Sequence, residues 1–235
     1  MKTKTQVVLC LFLIGNIAIS SAHALFIKTE TKGTKDQSHK VTIFYAEPAE
    51  GKKEQLKDWW SNTKDFSLWL IQPDGTKKQL EVTPNNNHFA AAFTPSTEGA
   101  YHLAIYHDVA QTFDATQYQF NASATIHVGN VPAHAGNKSA EGLFLRTNAA
   151  NKNKVNAPLE FTIIDAGKPV AEVPVTFFAP NGWTKTITTN AQGKVAFTPL
   201  WDGNYLIETY KVDEVENQAE FNKKHRIVTT VLKVE

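Results

Sequence analysis

The chain has 235 residues with 24 basic and 23 acidic side chains, and no basic surplus with which to hold nucleic acid. Its one cysteine, Cys10, lies in an N-terminal apolar segment, which leaves the rest of the chain without a disulfide or a thiolate metal site. Stability therefore has to come from packed cores, and the length fits one or two domains of about 100–200 residues.

The first residues, MKTKTQ, carry Lys2 and Lys4, followed by the apolar run VVLCLFLIGNIAI and the small residues Ser20, Ser21 and Ala22. That order is the three-part pattern of a secretory signal peptide, with an apolar run shorter than the roughly 20 residues of a membrane span. Residues 1–22 are expected to leave on export to the periplasm or the medium. Leu9 before Cys10 is not small, which argues against lipid attachment there. Removing Lys2 and Lys4 brings the charge balance close to zero, and no later segment is apolar enough to span. Cleavage after Ala22 makes His23 the first residue, whereas cleavage after Ala24 discards it.

Beyond the leader the recurring signal is alternation. KVTIFYAE, FSLWLIQ, HFAAAFTP, YHLAIYH and YQFNASATIHV alternate apolar and polar positions and are rich in β-branched and aromatic types, so they read as strands. PDGTKK (73–78) and STEGAY (96–101) supply turns between them. Residues 51–64, GKKEQLKDWWSNTK, lack alternation and are predicted to form a loop with one or two helical turns. Its tandem Trp59 and Trp60 form a hydrophobic lid on the simplest reading and a binding wall on the sharper one. Residues 129–142, GNVPAHAGNKSAEG, have the composition of a linker.

The pattern then restarts with PLEFTIID, VPVTFFAP, TKTITTN, KVAFTPL, YLIETYKV and RIVTTVLKV, separated by DAGKPV, APNGW, NAQGK and WDGNY. Gly193 is expected to give the positive φ of a tight hairpin. Residues 212–225 are charged and polar and read as a long exposed excursion. No 20–50-residue repeat marks a solenoid. The expected architecture is all-β: two tandem Ig-like antiparallel sandwiches, residues 23–129 and 141–235, joined by a linker at 130–140.

Chemistry leaves few marks. GxSxG, Walker A, GxGxxG and HExxH motifs are all missing, and no carboxylate pair is set apart by spacing, so an enzyme is not the reading. Histidine is the remaining signal, as the commonest metal ligand. For His39, His88, His127 and His134 the ordinary reading is a solvated or hydrogen-bonded surface residue. His102 and His107 flank LAIY on opposite faces of one strand, His102 on the polar face and His107 where the strand meets the loop HDVAQT. An N-terminal His23 would offer an α-amine and an imidazole on one residue, a chelate suited to copper, nickel or zinc.

An early strand ending FYAEPAEG, a strand ending AIYH, and PLEFTIIDAGKPVAEVPVTFFAPNG with TTNAQGKVAFTPLWDGNYLIE resemble the DUF4198 family. The resemblance implies an exported two-domain protein related to the periplasmic NikM-like component associated with nickel and cobalt uptake. The second half also resembles carboxypeptidase-regulatory and transthyretin-like sandwiches, through Gly167, Pro169 and Val175 and then Thr189 and Gly193. The resemblance implies a divalent transition-metal site (nickel, cobalt, copper or zinc) at His23, Glu47 and His107, with a carboxylate at Glu47 where imidazole is common. It implies a membrane metal transporter or another envelope protein as partner. The competing expectation is an envelope interaction module whose loops, with Trp59 or Trp60, contact a protein or glycan.

Overall fold

The computed structural model describes residues 23–49, 52–131, 142–147, 153–216 and 219–235. The leader at 1–22, His134 and most of the linker lie outside the described residues. Described strands of the first half are β1 (Ala24–Thr29), β2 (Lys32–Gly33), β3 (His39–Glu47), β4 (Lys52–Lys53), β5 (Leu68–Ile71), β6 (Lys77–Leu80), β7 (Thr83–Pro84), β8 (Phe89–Phe93), β9 (Gly99–Asp108) and β10 (Thr116–Val128). The second half contributes β11 (Leu143–Thr147), β12 (Leu159–Asp165), β13 (Lys168–Pro169), β14 (Pro174–Phe178), β15 (Thr184–Thr188), β16 (Lys194–Phe197), β17 (Gly203–Glu214) and β18 (Lys223–Val234). Two single turns of 3-10 helix, Leu56–Asp58 and Thr63–Asp65, occupy the segment that lacked alternation. The protein is all-β, as its alternation predicts, and among the described residues no helix is long and apolar enough to cross a membrane.

Each half has its own small sheet. In the first, β1, β3, β8 and β7 lie side by side with β4 on the end of β3; in the second, β12 pairs with β11, β13 and β16. Both halves share one large sheet, ordered β15-β14-β17-β18-β10-β9-β5-β6. Its middle is a parallel pairing of β10 with β18, Phe120 beside Ile227 and Asn121 beside Val228. All the other major pairings are antiparallel. Strand alternation cannot reveal such a junction, because the two partners are about a hundred residues apart in the chain and each pattern fits any neighbour of the right polarity.

The shared sheet is apolar on both faces at its centre. Ile227 belongs to the core made with Leu25, Ile43, Leu103 and Phe120, whereas Val228 belongs to the core made with Phe161, Val175, Phe177 and Tyr205. Adjacent residues point oppositely in a strand, so the two small sheets cover opposite faces of the large one. The same two-sided burial corrects the reading of His102 as a polar-face residue: β9 is buried continuously from Ala100 to Ile105, and His102 is buried with Nδ1 3.0 Å from Thr125 Oγ1.

A second correction concerns residues 212–225. The pairing of β17 with β18 continues out to Glu214 opposite Lys223. Asp213 faces Lys224 in that register, and cross-strand opposite charges hold a ribbon that has little apolar surface.

The halves also repeat a device that spacing alone disguised. TEGAY (97–101) and WDGNY (201–205) each place a buried tyrosine four residues after a backbone group that it binds. Tyr101 donates to the Thr97 carbonyl at 3.0 Å and accepts from the Thr97 amide at 3.1 Å. Tyr205 does the same with Trp201, both at 3.1 Å. This is the tyrosine corner of Ig-like sandwiches, present twice. In each half a glycine at positive φ lets the strand start against a turn proline. A Cβ on Gly99 would stand 2.5 Å from Pro73, and one on Gly203 would stand 3.0 Å from Pro180. Tyr101→Phe or Tyr205→Phe removes the partner of one backbone amide and one carbonyl in a part-buried corner. Each is expected to lower unfolding free energy by about 1–3 kcal/mol in urea titrations, and an unchanged midpoint would refute the role.

Candidate functional site

One end of the first sandwich gathers charge. Ala24 pairs with Ala46 in the β1–β3 ladder, so the residue before it, His23, falls beside Glu47. β4 then folds back on β3, with Glu47 opposite Lys52, and delivers Glu54. The Glu54 amide donates to the Tyr45 carbonyl at 2.9 Å, and the Trp59 indole donates to the Glu54 carbonyl at 3.3 Å. His23 stands between the two carboxylates, Nδ1 3.7 Å from Glu47 Oε2 and Nε2 3.2 Å from Glu54 Oε1. Lys52 is a cation near this group, 3.9 Å from Glu54 and largely exposed.

Glu47 is buried, and its Oε1 has no hydrogen-bond partner among the described residues. A fourth group arrives from the other half. Glu208 pairs with Thr229 across β17 and β18, and the Thr229 hydroxyl donates to the Leu25 carbonyl, which turns that face toward β1. Burial, and then the charge of Glu47, push the Glu208 carboxyl up to about 8. Its Oε2 is sealed from solvent without a hydrogen-bond partner among the described residues. The Tyr45 phenol is likewise pushed up, first by burial and then by Glu54 and Glu47. These shifts describe a pocket of excess negative charge with partly unmatched oxygens.

Of the sequence-predicted ligands, the structure brings His23 and Glu47 together. His107 keeps different company. It is buried on β9, where burial lowers its pKa while Asp65, Asp108 and a backbone hydrogen bond to Asn62 pull the other way. Its contacts belong to the lid, whose Asn62 Oδ1 and Ser61 Oγ accept from the Ala110 and Gln111 amides at 2.8 and 3.1 Å. Among the described residues no group of three His, Cys, Asp or Glu side chains already converges as a cation site. Glu54 and Glu208 escaped the sequence reading. Glu54 lay within a segment read as a lid, and Glu208 within a strand of the other half. The alternation of LIETY does mark Glu208 as sharing a face with Leu206, which was the available signal.

Among the other described histidines, His127 has its Nδ1 buried without a partner, and the rest are hydrogen-bonded or ring-packed. His39 Nε2 is 2.8 Å from Thr29 Oγ1, His88 Nδ1 is 3.0 Å from Asn87 Oδ1, and His225 sits between Tyr118 and Tyr210. Trp59 and Trp60 have different surroundings. Trp59 is buried against Tyr45, Phe66 and Phe89 as a lid. Trp60 lines an open cleft of about 280 Å³ beside His23, with Tyr45, Phe113, Tyr118 and Phe120.

A family model for a domain of unknown function, DUF4198, matches residues 20–213 and so spans both halves, including His23, Glu47, Glu54, His107 and Glu208. The chain belongs to the DUF4198 family. No curated protein matches it. Among solved structures, a Salmonella alpha-2-macroglobulin mutant is 11% identical over 90% of this chain and 14% of its own, with a TM-score of 0.32. A DUF4785 family protein from Legionella pneumophila is 15% identical over 78% of this chain and 51% of its own, at 0.31. The fibronectin(III)-like modules of Clostridium thermocellum CbhA are 11% identical over 89% and 94%, at 0.26. This DUF4198 chain therefore spans a small part of the first structure and about half of the second, and scores this low say nothing of its function.

Proposed function

We propose that this DUF4198 protein is an exported, non-enzymatic metal-binding or metal-uptake accessory protein of NikM-like type, taking nickel, cobalt or a similar divalent ion. The supporting observation is the bracketing of His23 by Glu47 and Glu54, with one Glu47 oxygen buried and unpartnered. A tetrahedral ion with ligands at about 2.0–2.1 Å separates those ligands by a little over 3 Å, so an Nε2 to Oε1 separation of 3.2 Å accommodates an ion in place of the shared proton. The donor set of imidazole and carboxylate suits nickel, cobalt or zinc better than a soft ion.

His23 Nε2 and Glu54 would hold the ion, with Glu47 beside Nδ1 to orient the imidazole. Bound there, the ion would neutralise the carboxylates, and the protein would present it to a membrane metal transporter or another envelope partner in the periplasm or medium. His107 lies outside this set and is assigned to the lid. The second reading, an envelope interaction module, draws on Phe113, which is 67% exposed beside Trp60.

The test is calorimetric titration of the exported protein with nickel, cobalt, copper and zinc, its N-terminal residue having been read by mass spectrometry. Binding is expected for the form that begins at His23. It should weaken at least about tenfold in His23→Ala and in Glu54→Gln, as expected on losing one ligand or a residue supporting it. His107→Ala should leave it unchanged. Absence of binding, or binding indifferent to His23, would overturn the reading and favour the interaction module.

A further inference from the structure

The cleft beside His23 has a construction that the metal reading does not use. Its walls are rings set at steep angles: Trp60 meets Tyr118 at 81°, with centroids 5.6 Å apart, and Tyr45 meets Phe120 at 66°, with centroids 5.8 Å apart. Each pair touches edge to face, and the cleft that these rings line with His23 and Phe113 is bounded by ring surfaces from more than one segment of the chain. The rings are also held in place. The Trp60 indole donates to Gln111 Oε1 at 3.1 Å, and the lid that carries it is tied to the Ala110 and Gln111 amides.

The outermost ring, Phe113, is displayed by a hairpin turn in which Phe113 and Thr116 exchange both backbone hydrogen bonds at 3.0 Å. The two residues between them, Asp114 and Ala115, have φ of 48° and 52°. A turn of this shape favours glycine or asparagine, and two left-handed positions without a glycine are strained. Strain of this kind persists where the surroundings require the geometry, and here the geometry puts a large apolar ring in water at the mouth of the cleft.

Charge decides what would fill the space. His23 is in the wall, Glu47 and Glu54 lie against it outside the lining, and Asp114 is exposed at the turn beside Phe113. Against them stands Lys52, whose ammonium is exposed and already near Glu54. Aromatic faces backed by carboxylates attract a cation that carries its own apolar shell, because it can shed water cheaply and still meet the ring quadrupoles. A volume of about 280 Å³ suits a head group and not a drug-sized molecule.

We propose that this cleft binds a small methylated ammonium compound, with Trp60, Phe113, Tyr118 and Tyr45 around the cation and Glu47 and Glu54 behind it. The cleft shares His23 and its flanking carboxylates with the metal reading but does not rest on it, because its principal contacts are rings and no ion is required.

The experiment titrates the protein, in excess chelator so that no metal competes, with choline and with its neutral carbon isostere, in which a tert-butyl group replaces the trimethylammonium. Tryptophan fluorescence and calorimetry report binding. Choline is expected to bind about tenfold or more tightly than the isostere, the margin that a partly desolvated cation–π site provides. Phe113→Ala and Trp60→Ala should each weaken choline about tenfold, with the far-ultraviolet spectrum unchanged. Phe113 is exposed, so its replacement does not threaten the core. Equal binding of the two compounds, no choline binding at millimolar concentration, or choline binding untouched by Phe113→Ala would overturn the proposal.

Discussion

Arg226→Ala is expected to lower unfolding free energy by about 2–4 kcal/mol, a melting-point loss on the order of 5–10 °C. Lys211 and Arg226 face each other across β17 and β18, and like charges directly opposite are unfavourable. Two carboxylates resolve the conflict. Arg226 makes a bidentate pair with Asp165 on β12, at 2.8 and 2.7 Å, and binds Asp213 through Nε at 2.6 Å. Lys211 bridges the same two carboxylates at 3.0 and 2.7 Å. Because β12 belongs to the small sheet and the cations to the shared sheet, the network ties the two layers of the second sandwich together.

Removing the guanidinium leaves Asp165 with Lys211 alone in a site where its side chain is 18% exposed. Arg226→Lys keeps the charge but not the fork, and should recover less than half of the loss. Equal melting points for all three proteins would show that the network contributes nothing.

The same network fixes the acid limb of stability. Hydrogen bonding from Arg226, opposed by burial and reinforced by Lys211, holds the Asp165 carboxyl at about 2, below its ordinary 3.8. A carboxyl depressed in the folded state binds fewer protons there than in the unfolded chain. Its stabilisation is therefore complete above about pH 4 and is lost as pH falls through 2. Partial exposure limits it to roughly 1–2 kcal/mol. Asp165→Asn should flatten the fall in melting temperature between pH 4 and 2.

How far the sequence reveals this protein depends on the range of the interaction. β3, β9, β12 and β17 were legible because alternation and turn residues are local. The lid was legible as a loop because residues 51–64 break the alternation. The parallel meeting of β10 with β18 was not, because nothing local specifies a partner so distant in the chain. At the site, His23 and Glu47 could be singled out, and the ladder that pairs Ala24 with Ala46 brings them side by side. Glu208 could not be placed with them, since its approach to Glu47 depends on the junction. His107 was singled out by its position at a strand end, a place that serves the docking of the lid as well as it serves a ligand.

Glu208→Gln is expected to raise the melting temperature at pH 8.5 and to leave it nearly unchanged at pH 4.5, measured with chelator present. The carboxyl titrates near its ordinary 4.5 in the unfolded chain and at about 8 in the folded protein, for which burial is the first cause and Glu47 the second. Between those values the folded state holds a proton that the unfolded state has lost, so stability declines as pH rises, and above 8 the whole penalty is present. A shift of this size corresponds to a few kcal/mol, of which local rearrangement removes a part.

Glutamine keeps the volume and removes the titration, so the variant's melting temperature should fall less steeply from pH 5 to 8.5 than the parent's. Parallel curves would place the Glu208 proton elsewhere. Above pH 8 the ionised carboxyl, buried and repelled by the charge of Glu47, works against the stability of the junction between the halves. Local conflicts of this kind are expected at functional sites.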